Sequence, residues 1–546
     1  MTHPVRSHGF TALGPLHEAF ARLTGWPAVI TSLLLGAFSA VAFAPFHFSV
    51  VLVISFTGLI WMLDGARSHR KWGKAIFLRS WAFGAGFFLI SMHWTAAPFL
   101  VEPEKHAIFL WMPLILLPGG MAIIWGVFGA MAGAFWSSSP SRIFIFALFF
   151  ALAEFVRGHL FGGFPWNLPG TTWIPGGALS QTASIGGVYW LTLLTVFIMS
   201  APAALVDTRE SRQLAVRMAP SFAAAILIAL VWTWGAQRIA QPSAQSDQFV
   251  VLMDSGVPQS EKWEIGPDPI LIEYLRMLST QEGEAGDIVL WPEGALPTTL
   301  LQDANALDAV GAYLGPRKLI AGTTRYEITG KDMRDYYNSL TVIDENAIRS
   351  GPVALYDKHR LVPFGELPAT RIIPFGQAMS GILPGAIQRM ASDGFRPGLG
   401  PAVIYADDIP PFVAMICYEG LYPSIPRNAN LGARADWLVL ISNDAWFGGG
   451  MGPAQHYAQN RYRSIETGLP MARVASRGAS AIVDGLGREV LRAAPVADAP
   501  SGWNTSFGRG RLPLPEPVTL FQTRIGLILF WLSLFLFVGL AFLTWR

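Results

Sequence analysis

One cysteine, Cys417, stands in 546 residues. No internal disulfide can form, and a multi-cysteine zinc site is excluded. The redox compartment is left open by this. The 10 histidines show no HExxH-type spacing, so neither a metal nor another cofactor is expected. Charge is also scarce. Asp, Glu, Lys and Arg make up 14% of the chain, against about 25% in soluble domains. The net charge of +2 gives no electrostatic reason to expect nucleic acid. No internal repeat or low-complexity tract is visible.

Apolar residues are abundant, at 52%, and unevenly placed. A spanning helix needs about 20 mostly apolar residues. Segments 27–45, 48–64, 77–98, 108–135, 142–156, 184–205, 219–236 and 526–545 qualify, the second and fifth near the short limit. Pro113, Pro118, Gly119 and Gly120 predict a tilt or kink in the fourth. The first span ends in Ala42-Phe43-Ala44, which a signal peptidase accepts. It is long for a signal segment and more spans follow at once, so an uncleaved helix is expected. Lys and Arg in short loops set the orientation. With the N-terminus inside, the cytoplasmic side receives Arg6, Arg22, Arg67, Arg70, Lys71, Lys74, Arg79, Arg142, Arg209, Arg212, Arg217 and Arg546. The other side receives only Lys105 and Arg157. Seven spans then place 237–523 outside the cytoplasm.

The outer loop after span five, RGHLFGGFPWNLPGTTWIPGGALSQT, is rich in Gly, Pro and Trp. Trp prefers the membrane–water boundary. The loop is either a plain interfacial segment or a lip over which lipid enters a site. Glu154 and Arg157 near it are expected to pair at the interface. The region 245–500 has ordinary globular composition. Strand-like runs such as QFVVLMD, DIVLWPE, KLIAGTTRY, NSLTVID, FVAMICYE and WLVLISND alternate with helical stretches at 268–280, 303–313 and 454–467. That alternation predicts a layered α/β domain. Asp344-Glu345-Asn346 is expected to turn a hairpin.

Three groups fall at the ends of strand-like runs: Cys417 in FVAMICYEG, Glu293 in DIVLWPEGALP and Lys358 in ALYDKHRLVPFGE. A lone cysteine is most often a buried hydrophobe. A strand-to-loop junction, however, presents a side chain on a rigid support, as a nucleophile requires. Glu293 fits a general base. A carboxylate alone would raise the thiol pKa, so a cation is needed too. Lys358 fits that need and the stabilisation of an oxyanion. The expectation is a sulfur held ionised beside Lys358. Taken singly, Glu293 reads more readily as a helix-capping carboxylate and Lys358 as a solvated strand-end charge; together with the cysteine they read as an acyl-transfer site.

The blocks DIVLWPEGALP, YDKHRLVPFGE and CYEG…SNDAWFG resemble those of the nitrilase, or carbon–nitrogen hydrolase, superfamily. With RGHLFGGFPWN, GVPQSEKW and the eight-span frame, nearly the whole chain resembles the apolipoprotein N-acyltransferase family of the bacterial envelope. The resemblance implies about eight transmembrane helices plus an extracytoplasmic α/β nitrilase-like sandwich (αββα). The domains would be 1–240 with seven helices, 245–500 catalytic, and 524–546 a last helix. It implies Cys417 as nucleophile, Glu293 as base, Lys358 as oxyanion stabiliser and Glu366 as a second essential glutamate. Trp263, Tyr418, Glu419, Asn443 and Trp446 would bind substrate. The implied reaction moves an acyl chain from a phospholipid, typically the sn-1 chain of phosphatidylethanolamine. It passes through a Cys417 thioester to the α-amine of a diacylglyceryl-cysteine on an apolipoprotein. The implied setting is a monomer in the bacterial inner membrane with its catalytic domain in the periplasm.

Two other classes fit part of the pattern. A membrane-bound amidase or nitrilase would form the same thioester and release it to water, but would have little use for eight spans. A transporter or scaffold would need ionisable groups within its spans, or would not need all three reactive side chains.

Overall fold

A computed structural model describes residues 13–101, 103–206, 214–280, 284–329, 334–346, 350–363, 365–367, 394–497 and 499–545. The chain divides into two compact units, Met1–Ala240 with Thr523–Arg546, and Gln241–Gln522.

The first unit is helical. Its long helices are Gly25–Ser39, Val51–Arg67, Trp72–Ser91, Leu117–Ala134, Ser141–Arg157, Ala183–Ser200, Leu214–Ile239 and Arg524–Trp545. Each coincides with one apolar segment of the sequence. Among the described residues, six stretches are long and apolar enough to cross a membrane. Val51–Arg67 and Ser141–Arg157 have 17 residues each, the two short spans expected from sequence. A π-helical turn at Met112–Leu116 contains Pro113 and is followed by Pro118, where a kink was expected.

Several charged side chains in this unit are buried and bonded to a partner or to carbonyls. Arg157 Nε donates to Glu154 Oε1 at 2.9 Å, and Trp125 Nε1 donates to the same oxygen at 2.7 Å. The expected pair forms, both side chains are buried, and Arg157 also donates to the Phe164 carbonyl at 2.6 Å. Arg142 donates to the carbonyls of Ser138, Ser139, Ala203 and Val206, and its Nε lies 3.3 Å from Asp64. Such arginines satisfy helix-end carbonyls that water cannot reach. The Gly/Pro/Trp loop folds inward over part of its length. Trp166 through Thr172 are buried. The Trp166 ring lies 4.4 Å from that of Trp94, and Trp173 Nε1 donates to Thr195 Oγ1 at 2.9 Å. Gly170 permits this fold-back: a Cβ there would meet the Thr192 nitrogen and the Val188 oxygen at 2.8 Å.

The second unit is built on two sheets. Its strands are β1 (Gln245–Asp254), β2 (Ile288–Leu290), β3 (Lys318–Ile328), β4 (Arg334–Ile343), β5 (Ala354–Asp357), β6 (Val403–Ala406) and β7 (Ile409–Ile416). They continue with β8 (Trp437–Asn443), β9 (Met471–Ser476), β10 (Ala481–Val483), β11 (Glu489–Arg492), β12 (Ala494–Pro495) and β13 (Ser506–Pro513). One sheet has the order β12-β13-β1-β2-β3-β4-β5, the other β11-β10-β9-β8-β7-β6. Strands β1, β2 and β3 run parallel, as do β7, β8 and β9. The expected hairpin joins antiparallel β4 and β5, with the Asn346 N–H bonded to Asp344 Oδ1 at 2.8 Å.

Side-chain alternation builds two apolar layers. Val250, Leu252, Ile288 and Leu290 pack between the sheets against Phe412, Ala414, Ile416, Val439 and Ile441. Their neighbours Val251, Met253, Val289 and Trp291 face helices Pro267–Thr280 and Ala304–Leu314. The period of two along each strand gives both faces something to bury. Helix Met451–Thr467 packs with the second sheet's unit and is nearly enclosed despite its polar sequence. Each layer buries full Leu, Ile and Val side chains, worth about 1.5–3 kcal/mol apiece. The arrangement is an αββα sandwich, and it delivers strand ends from both sheets to one place.

Candidate active site

Glu293 lies just past β2, after Trp291 and Pro292, and its backbone passes close to β3. A Cβ on Gly322 would lie 2.5 Å from the Glu293 Cα, so only glycine fits there. Glu293 Oε1 accepts from Asn338 Nδ2 at 2.7 Å and from Lys358 Nζ at 3.2 Å. Its Oε2 accepts the backbone N–H of Asn443 at 2.9 Å, a bond from the end of β8 in the other sheet. Lys358 follows β5 and is 1% exposed. Its ammonium also lies 2.9 Å from Glu366. The Glu366 carboxylate takes the second Asn338 amide contact at 2.7 Å and the Val362 N–H at 2.9 Å. Burial pulls the Lys358 pKa down, but the carboxylates of Glu293 and Glu366 outweigh it and hold the group above its ordinary value.

Cys417 follows β7 and starts a 3-10 turn, Cys417–Leu421. Its φ of 53° is left-handed, a strained conformation for a residue with a Cβ. The side chain is buried yet interacts electrostatically with Glu293 and Lys358. Burial raises the thiol pKa first, Glu293 adds to that, and Lys358 only partly opposes them. The resting group is therefore a thiol. This departs from the expectation of a sulfur held ionised, because desolvation and the carboxylate act in the same direction.

The remaining expected residues divide by exposure. Trp263 and Trp446 are exposed. Asn443 is buried, with its Nδ2 3.1 Å from Gln259 Oε1. Tyr418 is buried against Tyr422, with ring centroids 5.2 Å apart. Glu419 was expected to bind substrate, but it is 0% exposed. Its Oε1 accepts from the Tyr356 hydroxyl and the backbone N–H of His359 and Arg360 at 2.8–3.0 Å; its Oε2 accepts the Ile416 N–H at 2.9 Å. It fastens the lysine turn to the cysteine turn.

Asn338 and Lys262 went unremarked in the sequence. Asn338 opens the run NSLTVID and gave no local signal. Lys262 sits in QSEKW beside Trp263 and hydrogen-bonds the Gly294 carbonyl. Burial lowers its pKa to about 8, against the pull of Asp254 and Glu293. Among the described residues, no three His, Cys, Asp or Glu side chains are grouped as metal ligands.

A strained, buried thiol beside a carboxylate and a lysine shared by two carboxylates is equipped for covalent acyl chemistry. The comparisons agree. Residues 35–201 match the model of the apolipoprotein N-acyltransferase N-terminal domain, and residues 280–497 match that of carbon–nitrogen hydrolases. An apolipoprotein N-acyltransferase of Rhodopseudomonas palustris is 32% identical, covering 92% of each chain. One of Caulobacter vibrioides is 35% identical over 85% of this chain and 86% of its own. One of Brucella melitensis is 32% identical over 93% and 97%. Helical bundle, αββα unit and reactive cluster thus fall under one description, and the chain belongs to the apolipoprotein N-acyltransferase family.

Proposed function

We propose that this protein transfers a fatty acyl chain from a membrane phospholipid to the N-terminal α-amine of a diacylglyceryl-cysteine on an apolipoprotein. The observation that carries the reading is the hydrogen-bonded set Glu293, Lys358, Glu366 and Asn338 surrounding the chemistry of the single cysteine.

In the first half-reaction Cys417 Sγ attacks the ester carbonyl while Glu293 takes the thiol proton. Because the resting thiol is neutral, proton removal and attack proceed together. Lys358 faces the oxyanion of the tetrahedral intermediate. Its collapse breaks the ester C–O bond, and protonated Glu293 returns the proton to the departing lysophospholipid. In the second half-reaction the α-amine attacks the thioester and gives a proton to Glu293. The C–S bond breaks, and that proton returns to sulfur. One base serves both halves, which implies ping-pong kinetics. Glu366 and Asn338 hold Lys358 and Glu293 in register. Trp263 and Trp446 offer exposed aromatic surface to the acyl chain or acceptor.

Phosphatidylethanolamine, through its sn-1 chain, is the proposed donor, and the working form a monomer. The bias of Lys and Arg in the short loops supports an inner-membrane protein with residues 241–522 on the periplasmic side. Lipid-anchored substrates suit such a frame, since exposing an acyl chain to water costs about 0.8 kcal/mol per CH₂. The test is mass spectrometry of a diacylated lipopeptide incubated with the protein and phospholipid. Gain of one acyl group on the α-amine is expected; release of free fatty acid with no gain on the lipopeptide points instead to hydrolysis.

A further inference from the structure

The run Lys358-His359-Arg360 carries a guanidinium that acyl transfer through Glu293 and Lys358 does not use. Lys358 serves Glu293 and Glu366. Arg360 follows on the same turn, and its backbone N–H donates to Glu419 Oε1 at 3.0 Å, so the cysteine turn holds it in place. Its side chain is half-buried and lies over the ring of Tyr422, with Cζ 4.8 Å from the centroid. Tyr422 in turn packs against Tyr418, the residue after the nucleophile. Arg360 therefore stands beside the turn that begins at Cys417.

This guanidinium is uncommitted. Among the described residues no carboxylate or carbonyl accepts from it, and its Nε is buried without a partner. A guanidinium is all donors, and a buried donor left unpaired is costly. Tyr422 supplies only its π face. Burial pushes the Tyr422 pKa up to about 12, so the phenol stays neutral and offers no counter-charge. The other cations near these strand ends are engaged. Lys358 is shared by two carboxylates, and Lys262 donates to the Gly294 carbonyl. Arg473 Nη2 donates to Asp444 Oδ2 at 2.7 Å, and Arg477 Nη1 to the Gly256 carbonyl at 3.1 Å. Glu293 and Glu366 outnumber Lys358, so an anion approaching Cys417 is repelled unless a further cation receives it.

We propose that Arg360 binds the phosphodiester of the donor phospholipid and so selects the lipid that reaches Cys417. The ligand class is a phosphodiester monoanion, whose non-bridging oxygens match the parallel N–H groups of a guanidinium. The sn-1 ester and the phosphate sit at opposite ends of one glycerol unit. An anion held at Arg360 thus leaves the ester carbonyl within short reach of the cysteine turn. Only the donor makes this contact. The departing lysophospholipid carries the phosphate away, and the diacylglyceryl group of the acceptor has none. The inference rests on the donor being a phospholipid, as proposed above.

The test is steady-state transfer from phosphatidylethanolamine to a diacylated lipopeptide by the full-length protein in detergent. In ping-pong kinetics kcat/KM for each substrate reports its own half-reaction. Arg360→Gln lowers kcat/KM for the phospholipid roughly 10- to 100-fold and leaves that for the lipopeptide unchanged. Arg360→Lys keeps the charge, loses the fork and falls between. Diacylglycerol, with the same sn-1 ester and no phosphate, serves Arg360→Gln and wild type at equal rates. Equal losses for phospholipid and lipopeptide, or for phospholipid and diacylglycerol, overturn the proposal. A second readout needs no turnover: alkylation of Cys417 by iodoacetamide at alkaline pH, read by peptide mass spectrometry in a chain with no other cysteine. Glycerophosphoethanolamine slows it in wild type and not in Arg360→Gln; glycerol slows it in neither. Protection by inorganic phosphate alone assigns the site to free phosphate and overturns donor recognition. Should Arg360→Gln not fold, Arg360→Met, which keeps the stack on Tyr422, takes its place, and a wild type left unprotected by glycerophosphoethanolamine overturns the proposal. Protection in a protein that never transfers acyl contradicts the acyl-transfer reading instead, and leaves the phosphodiester site standing.

Discussion

The side-chain amide of Asn338 gives one contact to Glu293 and one to Glu366, each at 2.7 Å. It holds together two carboxylates that also share Lys358. Without it the two anions would have only the ammonium between them. Hydrogen bonds to charged groups are worth about 1.5–3 kcal/mol. Asn338→Ala is therefore expected to lower kcat roughly 10- to 100-fold, with the phospholipid KM little changed. Steady-state transfer to a lipopeptide measures this; a pure KM effect would assign Asn338 to substrate binding instead.

Glu419 is expected to act on stability. Both of its oxygens meet only donors, so in Glu419→Gln the new NH₂ must face an N–H or an O–H. The cost is about 2–3 kcal/mol. Thermal unfolding followed by tryptophan fluorescence should show a lower Tm. A variant with wild-type Tm and a raised lipopeptide KM would return Glu419 to the substrate surface.

These two residues mark where the sequence was legible. Spans announce themselves because lipid demands some 20 apolar residues in a row. The three reactive side chains stood at strand ends, where local pattern and chemistry coincide. Asn338 was silent because its role comes from the pairing of β4 with β3 and β5, a long-range fact that no local run encodes. Glu419 follows the nucleophile by two residues, and its neighbours in sequence could not reveal that its carboxylate turns inward to the lysine turn. Helix Met451–Thr467 was found by its boundaries, while its burial was hidden by its polar composition; Asn460, Arg463 and Arg473 satisfy one another or nearby carbonyls internally.

Asp444 makes stability depend on acid. Its folded pKa lies below the unfolded value because Arg473 and His456 overcome the burial that would raise it. A carboxyl with a depressed folded pKa stabilises fully above its unfolded pKa, about 3.9, and loses that contribution as pH falls through the folded value. Wild type should exceed Asp444→Asn in Tm at pH 7, and the gap should close progressively below about pH 4. A gap that is constant with pH would contradict the ion pairing.

Glu154 and Arg157 test the helical unit. Both are buried and bonded to each other, with Trp125 and the Phe164 carbonyl as further partners. Removing one partner of a buried pair costs on the order of 3–5 kcal/mol. Arg157→Leu should lower the Tm in detergent, and Glu154→Leu/Arg157→Leu should recover part of the loss. A double variant that is worse than either single one would place the stabilisation in the contacts to Trp125 and Phe164.

The central claim is that the Cys417 sulfur carries the acyl chain between two lipids. It is tested most directly by incubating the protein with phospholipid bearing an isotope-labelled sn-1 chain, omitting the acceptor, and reading the Cys417 peptide by mass spectrometry. The account predicts one labelled acyl group on that peptide, removable by neutral hydroxylamine, lost on adding lipopeptide and absent from Cys417→Ala. Transfer of label to lipopeptide by Cys417→Ala, or an unmodified cysteine in a wild type that is turning over, would contradict it.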